Sequence, residues 1–285
     1  MKKIDAIIRP THSHWVGDGF PVRSLFSYED GPQALSPFLL FDFAGPRNFE
    51  PTLQQRGVGL HPHRGFETVT IVYDGEVSHK DSTGGGGAIG AGDVQWMTAA
   101  GGILHEEFHS KAFSKTGGPF RMVQLWVNLP AKDKMSPPRY QSIESAQIPS
   151  VAFDGGRARI IAGEFRGAKG PASTFTPINL WDVRLEAGAE ATLAPPAGHN
   201  AMIAVISGRA FINGEDIREA EIARFTRDAG EIAVSADGET TLLVLTGEPI
   251  DEPVVGRGPF VMNTEAEIKQ AFDDYRSGRL ARPAA

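Results

Sequence analysis

Residues 57–75 read GVGLHPHRGFETVTIVYDG, and residues 101–110 read GGILHEEFHS. The first stretch is rich in Val, Ile, Thr, Phe and Tyr, which favour a pleated strand. In an extended chain residues i and i+2 point to one face, so His61 and His63 present two imidazoles side by side. With a third His and a carboxylate from another strand they can close around one divalent metal; such donors suit Zn, Fe, Ni, Cu or Mn. Two carboxylates compete for that place. Glu67 shares the face of both histidines by period-two counting, and Glu107 shares the face of His105 if its stretch is extended. Spacing alone leaves both open.

Working outward, 33 glycines and 20 prolines imply many short elements joined by tight turns. Strand-like runs recur at 66–73, 76–80, 93–98, 120–128, 158–162, 180–185, 201–206, 222–225 and 240–246. That spacing predicts an all-β fold of sandwiches or barrels. The turns at Asp74-Gly75 and Ser207-Gly208 fall at comparable points of two strand-rich halves, which hints at a repeated barrel. Segment 131–150, with Ser136-Pro137-Pro138 and little apolar periodicity, reads as a linker. The expected organisation is therefore a barrel over 1–130, the linker, a second barrel over 151–250, and a tail with a helix over 251–285. That helix follows Thr264-Glu265-Ala266-Glu267, a capping-box pattern. Ile268, Ala271, Phe272 and Tyr275 give it one apolar stripe, suited to packing on the barrels, and Gly278 ends it.

Composition excludes several function classes. Apolar residues make up 41% and charged residues 22% of the 285, the balance of a globular chain. A formal charge of −7 offers no basic footprint, so no direct nucleic-acid binding is expected. The absence of cysteine excludes disulfides, thiolate-bound zinc and thiol nucleophiles. No apolar run reaches 18 residues and MKKIDAIIRPTHSH lacks an apolar signal core, so a soluble cytoplasmic protein with no membrane association is expected.

Two motif matches are decoys. His105-Glu106-Glu107-Phe108-His109 fits HExxH, but that signature works on a helix, and Gly101-Gly102 upstream leaves no room for one. Gly85–Gly90 fits GxGxxG, but it runs into Asp93-Val94-Gln95-Trp96, a turn into a strand, where a dinucleotide fingerprint must open a helix. His79 and Asp81, alternating on one strand, are expected to form a hydrogen-bonded pair bordering the site. His12, His14, His109 and His199 show no convergent partner.

HPHRGFETVTIVYDGEVSHKDS resembles the first cupin motif, and GAGDVQWMTAAGGILHEEF the second. The fuller wording HPHRGFETV, GDVQWMTAAGGILHEE, QLWVNLP and GEPIDEPVVGRGPFVMNT resembles the pirin family over residues 57 to about 265. The resemblance implies a bicupin: two antiparallel β-barrels face to face, with one metal, most often iron, in the first. The ligands it implies are His61, His63, His105 and Glu107, which decides between the two carboxylates in favour of Glu107. In the second half PPAGHN (195–200) stands where an HxH would be, so that barrel is expected to lack metal. Some family members resemble quercetin 2,3-dioxygenases, which implies a small phenolic substrate and Glu107 as both ligand and catalytic base. Others resemble regulators whose metal alters binding to a protein partner.

Overall fold

Alternating apolar and polar residues become strand throughout the computed structural model, which describes residues 1–10 and 12–281. Two compact units result, and they interleave in sequence. The HPH unit comprises residues 12–32, 38–145 and 250–281; the second comprises 1–10, 33–37 and 146–249. Sequence reading gave consecutive blocks at 1–130 and 151–250. The contacts instead send strand Ile4–Ile8 to the second unit, where it pairs with Ile222–Phe225. Residues from 250 on join the HPH unit, bridging Phe260 to Arg64. Among the described residues no helix is long and apolar enough to cross a membrane.

Each unit is an antiparallel barrel built from a seven-stranded and a four-stranded sheet. In the HPH unit the larger sheet runs Arg139–Ile143, Val94–Thr98, Phe66–Asp74, Gly118–Asn128, Phe38–Phe49, Phe20–Ser27, His14–Val16. The smaller runs Gly57–His63, Ile103–His109, Glu76–Asp81, Gly86–Gly90. The second unit repeats this order with Ile4–Ile8, Ile222–Phe225, Asn200–Ser207, Thr240–Gly247, Ile178–Leu185, Gly156–Ala162 and Ser150–Phe153 in the larger sheet. Its smaller sheet runs Glu190–Leu193, Ile232–Ala236, Arg209–Ile212, Glu215–Arg218. The two turns that hinted at a repeat carry the chain from one sheet to the other at equivalent points. Gly75 and Gly208 sit there at φ 87° and 83°, a region that residues with a Cβ rarely adopt.

The two interiors differ in kind. The second barrel is filled by Ile160, Trp181, Val183, Ile203, Val205, Leu242 and Val244 with their neighbours, an apolar core. The HPH barrel holds an apolar cluster around Phe20, Val72, Phe120 and Met122 and, beside it, buried His63, Thr68, Thr70, Gln95, His105 and Glu107. Buried polar groups need partners, so this unit is the one built around something polar.

Segment 131–150, read as a linker, contains a strand. Arg139–Ile143 closes the edge of the larger sheet in register with Val94–Thr98. The C-terminal helix runs over Glu265–Arg276, with the Thr264 hydroxyl accepting from Glu267 N and Glu267 Oε2 accepting from Asn263 N. Ile268 and Ala271 are buried against Phe260, Met262 and Leu280, with Leu104 of the histidine sheet beside them.

Candidate metal centre

Three imidazoles meet inside the HPH unit because two strands pair in one register. Gly57–His63 lies antiparallel to Ile103–His109 with His61 opposite His105 and His63 opposite Ile103. Opposed residues share a face, and His63 follows two places along. Ring centroids stand 4.2 Å apart for His61 and His105, and 4.9 Å apart for each of the other two pairs. One nitrogen from each ring lies within 4.8 Å of the other two.

All three rings are held neutral, as ligation requires. Burial is the chief cause, and neighbouring imidazoles add to it for His63 and His105. His63 is pushed down to about 3, and His105 and His61 are lowered. His61 Nδ1 is 2.9 Å from the Gly59 carbonyl. As the donor there, Nδ1 carries the proton and leaves Nε2 free, a support typical of a metal-binding imidazole. His63 Nδ1 and both nitrogens of His105 are buried without a hydrogen-bond partner.

Both carboxylates left open by spacing are buried, on different sides. Phe66 and Thr70 reach His63 and Glu107, so by alternation Glu67 points to the other face of its sheet, and the expectation that it shares the histidines' face is corrected. Glu67 accepts from Thr98 Oγ1 at 2.7 Å. Glu107 lies outside the three-imidazole group, on the buried face of Ile103–His109 and beyond a bulge that follows His105. Its Oε1 is buried with no partner. Burial pushes each carboxyl up to about 7, offset for Glu107 by the Thr70 hydroxyl and for Glu67 chiefly by Thr98. Orphaned buried atoms on His63, His105 and Glu107, with the free Nε2 of half-buried His61 beside them, form a donor set that fits a first-row divalent ion.

The decoys are accounted for. His105 and His109 lie on a strand, and Glu106 falls on its more exposed face. His109 is packed among Phe20, Phe49, Phe113 and Phe120, and its Nε2 is 2.9 Å from the Gly19 carbonyl. Gly86–Gly90 is a hairpin strand against Glu76–Asp81. The expected His79–Asp81 pair is corrected. His79 Nδ1 and Asp81 Oδ2 are both buried without partners, because Asp81 Oδ1 turns to the Thr83 hydroxyl and amide and His79 stacks on Tyr140 at 5.5 Å.

Several neighbours surround the three imidazoles. Phe66 and Trp126 stack at 4.2 Å, and both stand edge-on to His63 at 5.2 and 5.3 Å. The alternation of QLWVN puts Trp126 on one face with Gln124 and Asn128, the only sequence signal for it. Tyr140 lies in the stretch read as a linker, where no periodicity marks it. Behind the ligand strand, Arg64 donates to Gly101 O and Asp274 at 2.7 and 2.9 Å. Lys134 Nζ donates to Gly65 O, Asn128 Oδ1 and Val261 O at 2.7, 2.7 and 3.0 Å. In the second unit Glu190–Leu193 and Ile232–Ala236 occupy the equivalent strands and carry no histidine.

Residues 19–127 match the family model described as Pirin, and residues 180–281 that described as Pirin C-terminal cupin domain. A Pseudomonas aeruginosa protein provisionally named as a quercetin 2,3-dioxygenase is 55% identical over 284 residues, 99% of each chain. The crystal structure of an Acinetobacter baumannii protein titled quercetin 2,3-dioxygenase aligns with TM-score 0.96 and 54% identity, covering 98% of both chains. A bacterial pirin from Escherichia coli, solved in complex with nickel(II), aligns with TM-score 0.67 at 21% identity, covering 86% of this chain and 99% of its own.

Proposed function

The chain belongs to the pirin family, and from that membership we propose that it is a metal-dependent dioxygenase acting on a flavonol or related phenolic. The observation that carries the reading is the cluster of three neutral imidazoles, two of them buried, with the buried, unpartnered Oε1 of Glu107 on the same strand as His105. His61, His63 and His105 would hold one divalent transition metal, with Glu107 as fourth ligand; iron, nickel, zinc, copper and manganese all suit these donors. When bound, the ion would supply a Lewis-acid seat for a phenolic oxygen and open positions for dioxygen.

The protein's own groups have defined parts. Glu107, raised to about 7, is poised to take a phenolic proton near neutral pH. The Gly59 carbonyl fixes the ring of His61. Phe66 and Trp126 give the His63 side an apolar aromatic wall, suited to a flat ring system and to keeping water out. Names given to the relatives at 55% and 54% identity support the same substrate class.

The same aromatic wall favours a second reading. If Phe66 and Trp126 crowd the space beside His63, the protein is a metal-bearing binding protein without turnover. The deciding experiment reconstitutes the protein with metal under anaerobic conditions, adds quercetin, then oxygen. Loss of flavonol absorbance with release of carbon monoxide supports the enzyme. Stoichiometric metal without either signal overturns it in favour of the binding protein.

A further inference from the structure

The outer face of the second unit's larger sheet carries a row that neither its core nor the metal centre explains. Across five adjacent strands the register aligns Ala152 with Arg157, Arg157 with Arg184, Arg184 with Thr241, and Thr241 with Ser207. Ala158, Val183 and Leu242 belong to the barrel core, so Arg157, Arg184 and Thr241 point the other way by strand alternation. A bulge between Val205 and Ser207 brings Ser207 into the same row.

Two arginines are thus directly opposed on neighbouring strands, about 5 Å apart at the backbone, an arrangement that is destabilising for like charges. Both are exposed, and among the described residues neither has an ion pair or side-chain hydrogen bond. Buried Asp182 attracts both, but its Oδ2 accepts from Arg159 Nη1 at 2.9 Å. Arg157, Arg184, Ser207, Thr240 and Thr241 line one concavity of about 550 Å³, with Glu186 and Glu239 also on its wall. That volume is in the range of small-molecule sites.

We propose that this concavity binds a small oxyanion, a phosphate group above all. Two guanidinium forks offer paired N–H donors matched to tetrahedral or planar oxyanions, and the hydroxyls of Thr241 and Ser207 extend the donor row. With Glu186 and Glu239 also on the wall, the positive charge is confined to the Arg157–Arg184 pair, which suits one compact group, a free phosphate or a small phosphate ester. The site is independent of the metal reading, since every residue in it belongs to the second unit.

The test titrates the full-length, metal-loaded protein with inorganic phosphate, a simple phosphate monoester and acetate by calorimetry, beside Arg157→Gln, Arg184→Gln and the double variant. Each single change is expected to weaken phosphate binding about tenfold or more, the share of a lost charge-assisted contact, and the double variant to abolish it. Tighter binding of the monoester than of free phosphate would place an ester in the site; binding of acetate alone would overturn the phosphate assignment. Without anion the double variant should melt no lower than wild type, because it relieves repulsion, whereas a pair with a structural role would lower the melting point. Phosphate binding equal in wild type and double variant, or none in the wild type, overturns the proposal.

Discussion

Replacing Lys134 by Met tests how the histidine barrel is held together. The Lys134 side chain is 1% exposed, and its three donors meet three neutral acceptors, Gly65 O, Asn128 Oδ1 and Val261 O. Met fills a similar volume but leaves all three acceptors buried and unpaired. At about 1 kcal/mol each, less partial recovery through relaxation, the loss is about 2 kcal/mol. Burial pushes the amine down to about 7 from 10.5, against opposing attraction from Glu252 and Glu267. The unfolded chain therefore binds more protons than the folded one between pH 7 and 10.5. Wild-type stability from this group rises with pH in that window. The Lys134→Met variant lacks the slope, so the gap between the two proteins should widen by about 2 kcal/mol from about pH 6 to about pH 8.5. Urea unfolding followed by tryptophan fluorescence reads this directly, since Trp15, Trp96 and Trp126 all lie in the HPH unit. A gap below about 0.5 kcal/mol at both pH values, the scale of an ordinary surface change, would refute the reasoning.

Purified protein should carry close to one transition-metal ion per chain by elemental analysis, and His61→Ala or His105→Ala should lose it; retention in both variants removes the ligand assignment. Glu107→Gln should keep part of the metal, because three imidazoles remain, while flavonol turnover falls by about 10² to 10⁴-fold; Glu67→Gln should cost far less, and equal losses would mean the base is wrongly placed. Glu67 is raised by burial from 4.5 to about 7, so the folded protein binds the extra proton across that window and loses stability as pH rises through it. Metal-free Glu67→Gln should therefore be the more stable protein at about pH 8, by up to about 3 kcal/mol, and its melting curve should converge with wild type at about pH 4; coincidence at the higher pH would show the carboxyl to be unperturbed.

Much of this architecture was legible from local pattern. All nine strand-like runs are strands, because alternation and β-branched content act over a few residues. The pairing of His61 with His63 was legible because HPH encodes its geometry in a two-residue spacing. Phe38–Phe49 escaped notice because FLLFDFAGPRNF is nearly all apolar at first and then broken by Gly45-Pro46, which blurs any period. Arg139–Ile143 escaped because RYQSI follows two prolines, and its pairing with Val94–Thr98 is set by tertiary register. The choice between Glu67 and Glu107 did not follow from spacing either. The two-residue count runs straight through the turn at Arg64-Gly65, where the chain passes from the smaller sheet to the larger, so it could not show on which side of its strand Glu67 would fall. His79 and Asp81 show the reverse error: right spacing, but each was drawn to another neighbour.

The interleaving of the two units bears on the order in which the chain is made. Ile4–Ile8 is made well ahead of its partner Ile222–Phe225, which follows more than two hundred residues later. The turn after His63 likewise waits for Pro259, Val261 and Asp274 before Arg64 and Gly65 are anchored. The second barrel cannot close until its later strands have been made, and the turn beside His63 stays unanchored until residues 259–274 follow. The nascent chain must carry an unpaired strand edge and an unanchored turn beside the histidines until these later residues have emerged.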